Sequence, residues 1–212
     1  RSDGIETVGH IQGMEEAALI RRYGGIGMRL ARFSHGKDDR KIEPRSPAKS
    51  VSCETTFSND MSDPSELDPV LWRLCEELSG RLKSKAVSGK TIVLKLKTTE
   101  FKSITRQVHH HGPTQMADTL YRVGKYLLER ETDGRKFRLM GIGVSDLGDA
   151  DGADLSDLAD PEMEHRRKVE HAIDTIRAKL GRKAIEKGRG FMRAVDKQGI
   201  SARISEDNER DG

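Results

Sequence analysis

Aromatic side chains make up only 4% of the 212 residues and hydrophobic ones 34%, too little to bury the whole chain in one core. Tails and linkers are therefore expected around one large or two small folded units. Cysteine is nearly missing. Cys53 and Cys75 show no C-x-x-C spacing, which argues against a disulfide framework or a cysteine zinc site and points to a reducing compartment, the cytoplasm. No apolar run of about eighteen residues occurs, and Arg1-Ser2-Asp3-Gly4 carries no signal-peptide pattern, so a soluble protein without a membrane partner is expected. The net charge is small, +3, but segregated: residues 1–49 carry ten Lys/Arg against seven Asp/Glu, and residues 147–161 carry none against five. Basic blocks of this kind suit a nucleic-acid partner without requiring one.

The stretch around which the rest is organised is Gly89 to Gln107, GKTIVLKLKTTEFKSITRQ. From Ile92 to Lys97 the period is two, so Ile92, Leu94 and Leu96 share one face and Val93, Lys95 and Lys97 the other, a half-buried strand. Thr98 to Lys102 is a short polar connection. Ser103 to Val108 has the β-branched content of a returning antiparallel partner. Five cations (Lys90, Lys95, Lys97, Lys102, Arg106) stand against Glu100 in this hairpin. A basic outer sheet face is a candidate for phosphate contact, with an ordinary solvated face as the alternative.

Residues 1–35 read as short helices interrupted by Gly24-Gly25-Ile26-Gly27, with too few apolar residues to close a core alone. Such breaks free backbone N–H groups that could hold a phosphate, with Arg21, Arg22, Arg29 and Arg32 close in sequence; helix-capping glycines beside a solvated basic face are the alternative. Residues 36–48 hold two prolines and should be an extended linker. Lys49 to Phe57 has strand composition. Asp63-Pro64 and Asp68-Pro69 both suit a helix start, and Leu67, Leu71, Leu74, Leu78 and Leu82 form one apolar stripe that should end at Gly89. A second helix follows Pro113, with Thr114 as N-cap and Met116, Leu120, Val123 and Leu127 as its stripe. Lys136 to Leu147 has β character. The order strand, helix, strand, strand, helix, strand predicts an α+β domain over residues 49–147, a βαββαβ sheet with two helices on one face. Residues 148–160 read as an acidic linker. Residues 161–181 read as a third helix in which Val169, Ile173, Ile176 and Leu180 align, and residues 182–212 as a disordered tail.

Several of these pieces match a known family. Gly4-Ile5-Glu6-Thr7-Val8, Tyr23-Gly24-Gly25-Ile26-Gly27, Gly36 to Arg40, Lys49 to Phe57, Gly89 to Lys97, Ile104-Thr105-Arg106 and Arg138 to Ser145 together resemble, over about residues 4–147, the C-terminal part of the Y family of lesion-bypass DNA polymerases, in its bacterial polymerase IV branch. In that family the first block ends the thumb with its helix-hairpin-helix, and the βαββαβ unit is the little finger that grips primer–template DNA. The resemblance implies the same here. The family's palm carboxylates hold two metal ions, so magnesium is expected of the full-length polymerase. Neither palm motif occurs in this chain; Ser205-Glu206-Asp207-Asn208-Glu209 is a superficial echo. A fragment that grips DNA without catalytic residues of its own is expected, acting as a monomer. Family members dock the sliding clamp through a short C-terminal peptide, and no convincing match follows Phe191.

On this reading, phosphates are contacted by Lys49, Ser50, Lys95, Lys97, Thr105, Arg106 and Gln107 and by linker cations Lys37 and Arg45, without base readout. An RNA-recognition module shares the element order but stacks bases on sheet aromatics, for which only Phe57, Phe101 and Phe137 are available. A protein-interaction fragment with a merely solvated hairpin is the third class. His109-His110-His111 could offer a metal only two ligands on one strand face. The run from Asp149 to Asp160 fails the EF-hand spacing. Cys53 and Cys75 read as core thiols.

Overall fold

The computed structural model describes residues 3–41, 47–155, 160, 162–181, 184–190 and 200–201. It divides into two compact units, Arg1–Pro47 and Ala48–Gly212.

The first unit holds α1 (Val8–Gln12), α2 (Glu16–Tyr23) and α3 (Gly25–Ser34). Thr7 caps α1 by accepting from the His10 amide at 3.3 Å. The expected glycine interruption shrinks to one residue: Gly24 takes φ 59 and α3 begins immediately after it. Gly27 lies inside α3 for a different reason, since a Cβ there would stand 2.1 Å from the Leu19 carbonyl oxygen. The two helices cross backbone to backbone at this point.

The second unit runs β1 (Ser50–Met61), α4 (Pro64–Ser84), β2 (Val87–Thr98), β3 (Ser103–Thr114), α5 (Ala117–Glu129) and β4 (Phe137–Asp149), the α+β order that the sequence predicts. Its antiparallel sheet has the order β3-β2-β4-β1, and a two-residue strand β5 (Ile200–Ser201) pairs with β1 at Thr56 and Phe57. Both long helices pack on one face. Leu67, Leu71, Leu74, Leu78 and Leu82 of α4 are buried with Leu120 and Leu127 of α5 and with Ile92, Leu94, Leu96, Ile142 and Val144 of the sheet. Placing that alternating face and that stripe in one apolar layer is the dominant stabilisation of the unit.

Several local expectations are corrected. Asp63 caps α4, accepting from the Ser65 amide at 2.8 Å, but Pro69 lies within α4 rather than at a helix start. Asp68 instead accepts from the Tyr121 hydroxyl at 2.7 Å. The helix stops at Ser84, with Ala86 in the left-handed region at φ 50; Gly89 belongs to β2, where a Cβ would meet the Ser145 carbonyl oxygen at 2.9 Å. Thr114 ends β3 and does not cap α5, whose N-cap residue Met116 has no side-chain cap. The cap comes from a distant residue: Glu170 accepts from the Ala117 amide at 2.9 Å and the Asp118 amide at 3.5 Å.

The C-terminal expectations change most. Residues 148 and 149 extend β4, Ala150–Gly152 is a 3-10 turn, and Asp154 is buried, accepting from the Thr114 hydroxyl at 2.5 Å and the Gln115 amide at 3.0 Å. Asp154 thus anchors a stretch whose other described residues are exposed or half-buried. In α6 (Met163–Leu180) the aligned Val169, Ile176 and Leu180 are exposed, and only Ile173 of that row is buried. The buried face of α6 carries Met163, Glu170 and Ile173. Glu170 also receives Lys83 at 2.6 Å. Burial alone would lower the Lys83 pKa, but Glu170 and Asp174 outweigh it and hold the ammonium charged. Of the tail expected to be disordered, Gly188–Gly190 is a 3-10 turn that packs onto α4, and residues 200–201 form β5. Residues 182–183, 191–199 and 202–212, and with them most of the stretch that could carry a clamp peptide, lie outside the described residues.

Candidate nucleic-acid interface

The face of the sheet turned away from α4 and α5 is built by the antiparallel register, because directly paired residues point to the same side. Read from β3 through β2 and β4 to β1, its rows are Ser103–Lys97–Leu139–Thr56, Thr105–Lys95–Gly141–Glu54, Gln107–Val93–Gly143–Ser52 and His109–Thr91–Ser145–Ser50. Hydroxyls, an amide and two lysines thus line an open surface, and glycines occupy the middle of the two central rows.

Those glycines are required by packing. A Cβ at Gly141 would lie 2.9 Å from the Glu54 Cβ, and one at Gly143 would lie 2.8 Å from the Ser52 Cβ. Their bare backbone forms the floor of a shallow groove of about 220 Å³ lined by Ser50, Ser52, Glu54, Val93 and Lys95. Because Gly141 has no side chain, Lys95 reaches across β4 and donates to Glu54 at 2.8 Å. Lys97 sits nearer the hairpin tip, its ammonium 5.8 Å from the ring centroid of Phe101. Phe101 is exposed in the left-handed region at φ 64, and the Arg138 guanidinium covers its ring at 4.0 Å. At the far end, Thr91 donates to Asp146 at 2.5 Å and its hydroxyl oxygen lies 3.0 Å from His109 Nδ1.

The sheet therefore brings Ser50, Lys95, Lys97, Thr105 and Gln107 together on one surface, with Lys49 exposed one residue before β1. Arg106 does not join them. It pairs with Leu94, whose side chain faces the helices, and its Nε donates to the buried Glu131 at 2.7 Å. The five hairpin cations thus do not form one face. Lys37 is exposed after α3 in the first unit, and Arg45 lies outside the described residues. In that unit the first amides of α3, at Gly25 and Ile26, open at a helix N-terminus without a side-chain cap. Arg22 is engaged with Asp3 at 2.6 Å and Arg32 with Asp39.

Ser52, Glu54, Gly141 and Gly143 are site residues that the sequence reading did not single out. Their signal is Gly141-x-Gly143 alternating inside a strand, which marks a close approach of another backbone or a ligand. Stacking of bases on this face has little support: Phe57 and Phe137 are buried in the core, leaving Phe101 at the tip as the exposed sheet phenylalanine. The histidines do not converge on a cation, since His110 Nδ1 lies 2.8 Å from the Gly112 carbonyl oxygen and, among the described residues, no three His, Cys, Asp or Glu side chains gather as a metal set. Cys53 and Cys75 are both buried thiols, and burial pushes the Cys75 pKa well up, away from the reactive thiolate. No described helix is long and apolar enough to cross a membrane.

Comparison with known proteins identifies the domain that carries this surface. Residues 48–157 match the model of the impB/mucB/samB family C-terminal domain. DNA polymerase IV of Brucella melitensis is 52% identical over 192 residues, a match that covers 91% of this chain and 43% of that protein. DNA polymerase IV 1 of Mesorhizobium japonicum is 51% identical over 194 residues, covering 92% and 44%. The chain thus spans less than half the length of these curated relatives. Among solved structures, a Y-family DNA polymerase chimera shares the fold with a TM-score of 0.50 at 17% identity, over 68% of this chain and 42% of its own. The sheet with its two helices is accordingly the domain that the family model describes, and the chain belongs to the impB/mucB/samB family.

Proposed function

We propose that this chain is the DNA-gripping C-terminal region of a DNA-directed lesion-bypass DNA polymerase, and that the open sheet face holds the sugar-phosphate backbone of primer–template DNA. The observation that carries the reading is the face itself: a sheet packed by two helices on its other side leaves this one uncovered, with Lys95 and Lys97, a row of hydroxyls, and glycine backbone at its centre. Cations and small donors without base-reading geometry suit a partner recognised by its phosphates, as an enzyme that accepts any template requires. Magnesium, which the resemblance implies for a full-length polymerase, would be held by palm carboxylates outside this chain. No catalytic residue is assigned here.

The test is a salt titration of duplex binding. Lys95→Ala/Lys97→Ala removes Lys97 outright and Lys95 to the extent that Glu54 leaves it to a phosphate, and should flatten the dependence of log K on log salt by about one to two. Arg106→Ala should leave that slope unchanged, because its guanidinium serves Glu131 on the helix side. A double variant that keeps the parent slope with its fold intact would refute the assignment of this face.

A further inference from the structure

Trp72 is the chain's single tryptophan. It lies on α4, fully buried, with Tyr121 of α5 edge-on at a ring-centroid distance of 5.2 Å. Its Nε1 has no hydrogen-bond partner among the described residues. Part of its cover comes from beyond the matched domain. The Lys187 ammonium stands 5.0 Å from the indole centroid and the Arg189 guanidinium 5.2 Å. Arg189 is also 4.7 Å from the Tyr121 ring centroid and 3.6 Å from the Asp118 carboxylate. Two aromatic rings beside a carboxylate are the environment in which a guanidinium or ammonium is bound through both its charge and its flat or apolar body.

The rest of the segment is attached in the same manner. Arg177 of α6 donates to the Ile185 carbonyl at 3.1 Å from Nε and 3.0 Å from Nη2, and to Glu76 of α4 at 2.9 Å. Upstream, Arg166 reaches Asp118 at 3.2 Å and Glu170 holds Lys83. Against these charged contacts α6 buries only two apolar side chains, Met163 and Ile173. An attachment made mainly of ion pairs and cation–aromatic contacts, with Arg189 still half exposed, is open to screening by salt, whereas the leucine core beneath it is not.

We propose that Trp72, Tyr121 and Asp118 form a cation-recognition site on the helix side of the domain, occupied by Lys187 and Arg189 so that residues 184–190 act as a salt-releasable latch. Closed, the latch keeps two tail cations on the side opposite the open sheet face. Open, it uncovers the indole and frees both cations.

The intact chain carries its own probe in Trp72. Acrylamide quenching and emission maximum would be followed from about 0.05 to about 1 M NaCl, with far-ultraviolet circular dichroism as the control for fold. At low salt the parent should be shielded. Lys187→Ala/Arg189→Ala should raise quenching and shift emission to the red with unchanged dichroism, shifting the open-to-closed ratio about tenfold. Salt should do the same to the parent, and Lys187→Arg should keep the shielding. Parent-like shielding in the double variant would overturn the proposal, as would indole exposure that appears only when dichroism is lost.

Discussion

Glu54 lies in the middle of the open face and competes with any phosphate that binds there. Its carboxylate takes the Lys95 ammonium at 2.8 Å, and both side chains are nearly half exposed. Replacing it as Glu54→Gln keeps the size and an acceptor but removes the charge. Two terms follow. An exposed ion pair of this kind is worth about 0–1 kcal/mol, so releasing Lys95 to a phosphate regains up to that amount. A phosphate seated on the groove about 6 Å from Glu54 is repelled by about 0.7 kcal/mol in water, reduced by nearly half at 0.1 M salt. Together they predict duplex binding tighter by about fivefold at 0.1 M salt. The salt dependence should also steepen as a further cation becomes free to displace counterions. Fluorescence anisotropy with a labelled primer–template duplex reads both quantities. Because misfolding does not tighten binding, a gain is informative alone. Unchanged or weaker binding by a variant that melts like the parent would refute the placement of phosphate on this face.

Other perturbations test the groove and the domain's C-terminal edge. Gly143→Ala would drive a methyl to 2.8 Å from the Ser52 Cβ, so a loss of about 1–3 kcal/mol is expected in denaturant melts; unchanged stability would show that β1 and β4 separate without cost. Asp154 is buried, and burial, only partly offset by the Gln115 amide and the Thr114 hydroxyl, raises its pKa. Its folded form therefore binds a proton more readily than its unfolded form, and stability falls as pH rises from about 4 through the raised value. Asp154→Asn removes that penalty and suits the left-handed φ of 52, so thermal melts should show stabilisation at pH 7 that vanishes below about pH 4. A destabilised variant at pH 7 would show that the two accepted hydrogen bonds need the carboxylate.

Hydrophobic spacing revealed much of the fold because it acts locally. The α4 stripe, the Ile92–Leu94–Leu96 face and the order of elements could each be read within a single turn or strand and are present in the structure. What escaped was decided between segments. Whether Arg106 joins Lys95 depends on register: Lys95 pairs with Thr105, which turns Arg106 toward the helices beside Leu94. That pairing is set by the Thr98–Lys102 turn, not by composition. Thr114 looks like an N-cap because it precedes a helical stripe, yet Glu170, fifty-three residues beyond Ala117, supplies the cap. For α6, periodicity identified residues able to share a face, but Val169, Ile176 and Leu180 were left outside while a glutamate went in. Spacing cannot show that a buried carboxylate has a lysine and two helix amides waiting for it.

The same distinction governs the charges. Counting cations treats the hairpin and the tail as equal sources of phosphate affinity, whereas the fold commits several of them elsewhere. Arg106 faces Glu131, which is buried; removing the guanidinium would leave that carboxylate, among the described residues, with Arg135 at 3.9 Å. The larger effect expected of Arg106→Ala is therefore on stability, since a buried charge deprived of its partner is strongly destabilising. Lys187 and Arg189 are engaged with aromatic rings on the helix side. Lys95 is shared with Glu54, while Lys97 has no carboxylate partner among the described residues, only the Phe101 ring. A flexible tail cation must also lose side-chain entropy to hold one phosphate, a cost of up to about 2 kcal/mol that a lysine projecting from a formed strand meets in part during folding. If the proposed grip is right, position on the open face, rather than the net charge of +3, decides which cations meet phosphate, and Lys97 should contribute more than Lys95 until Glu54 is neutralised.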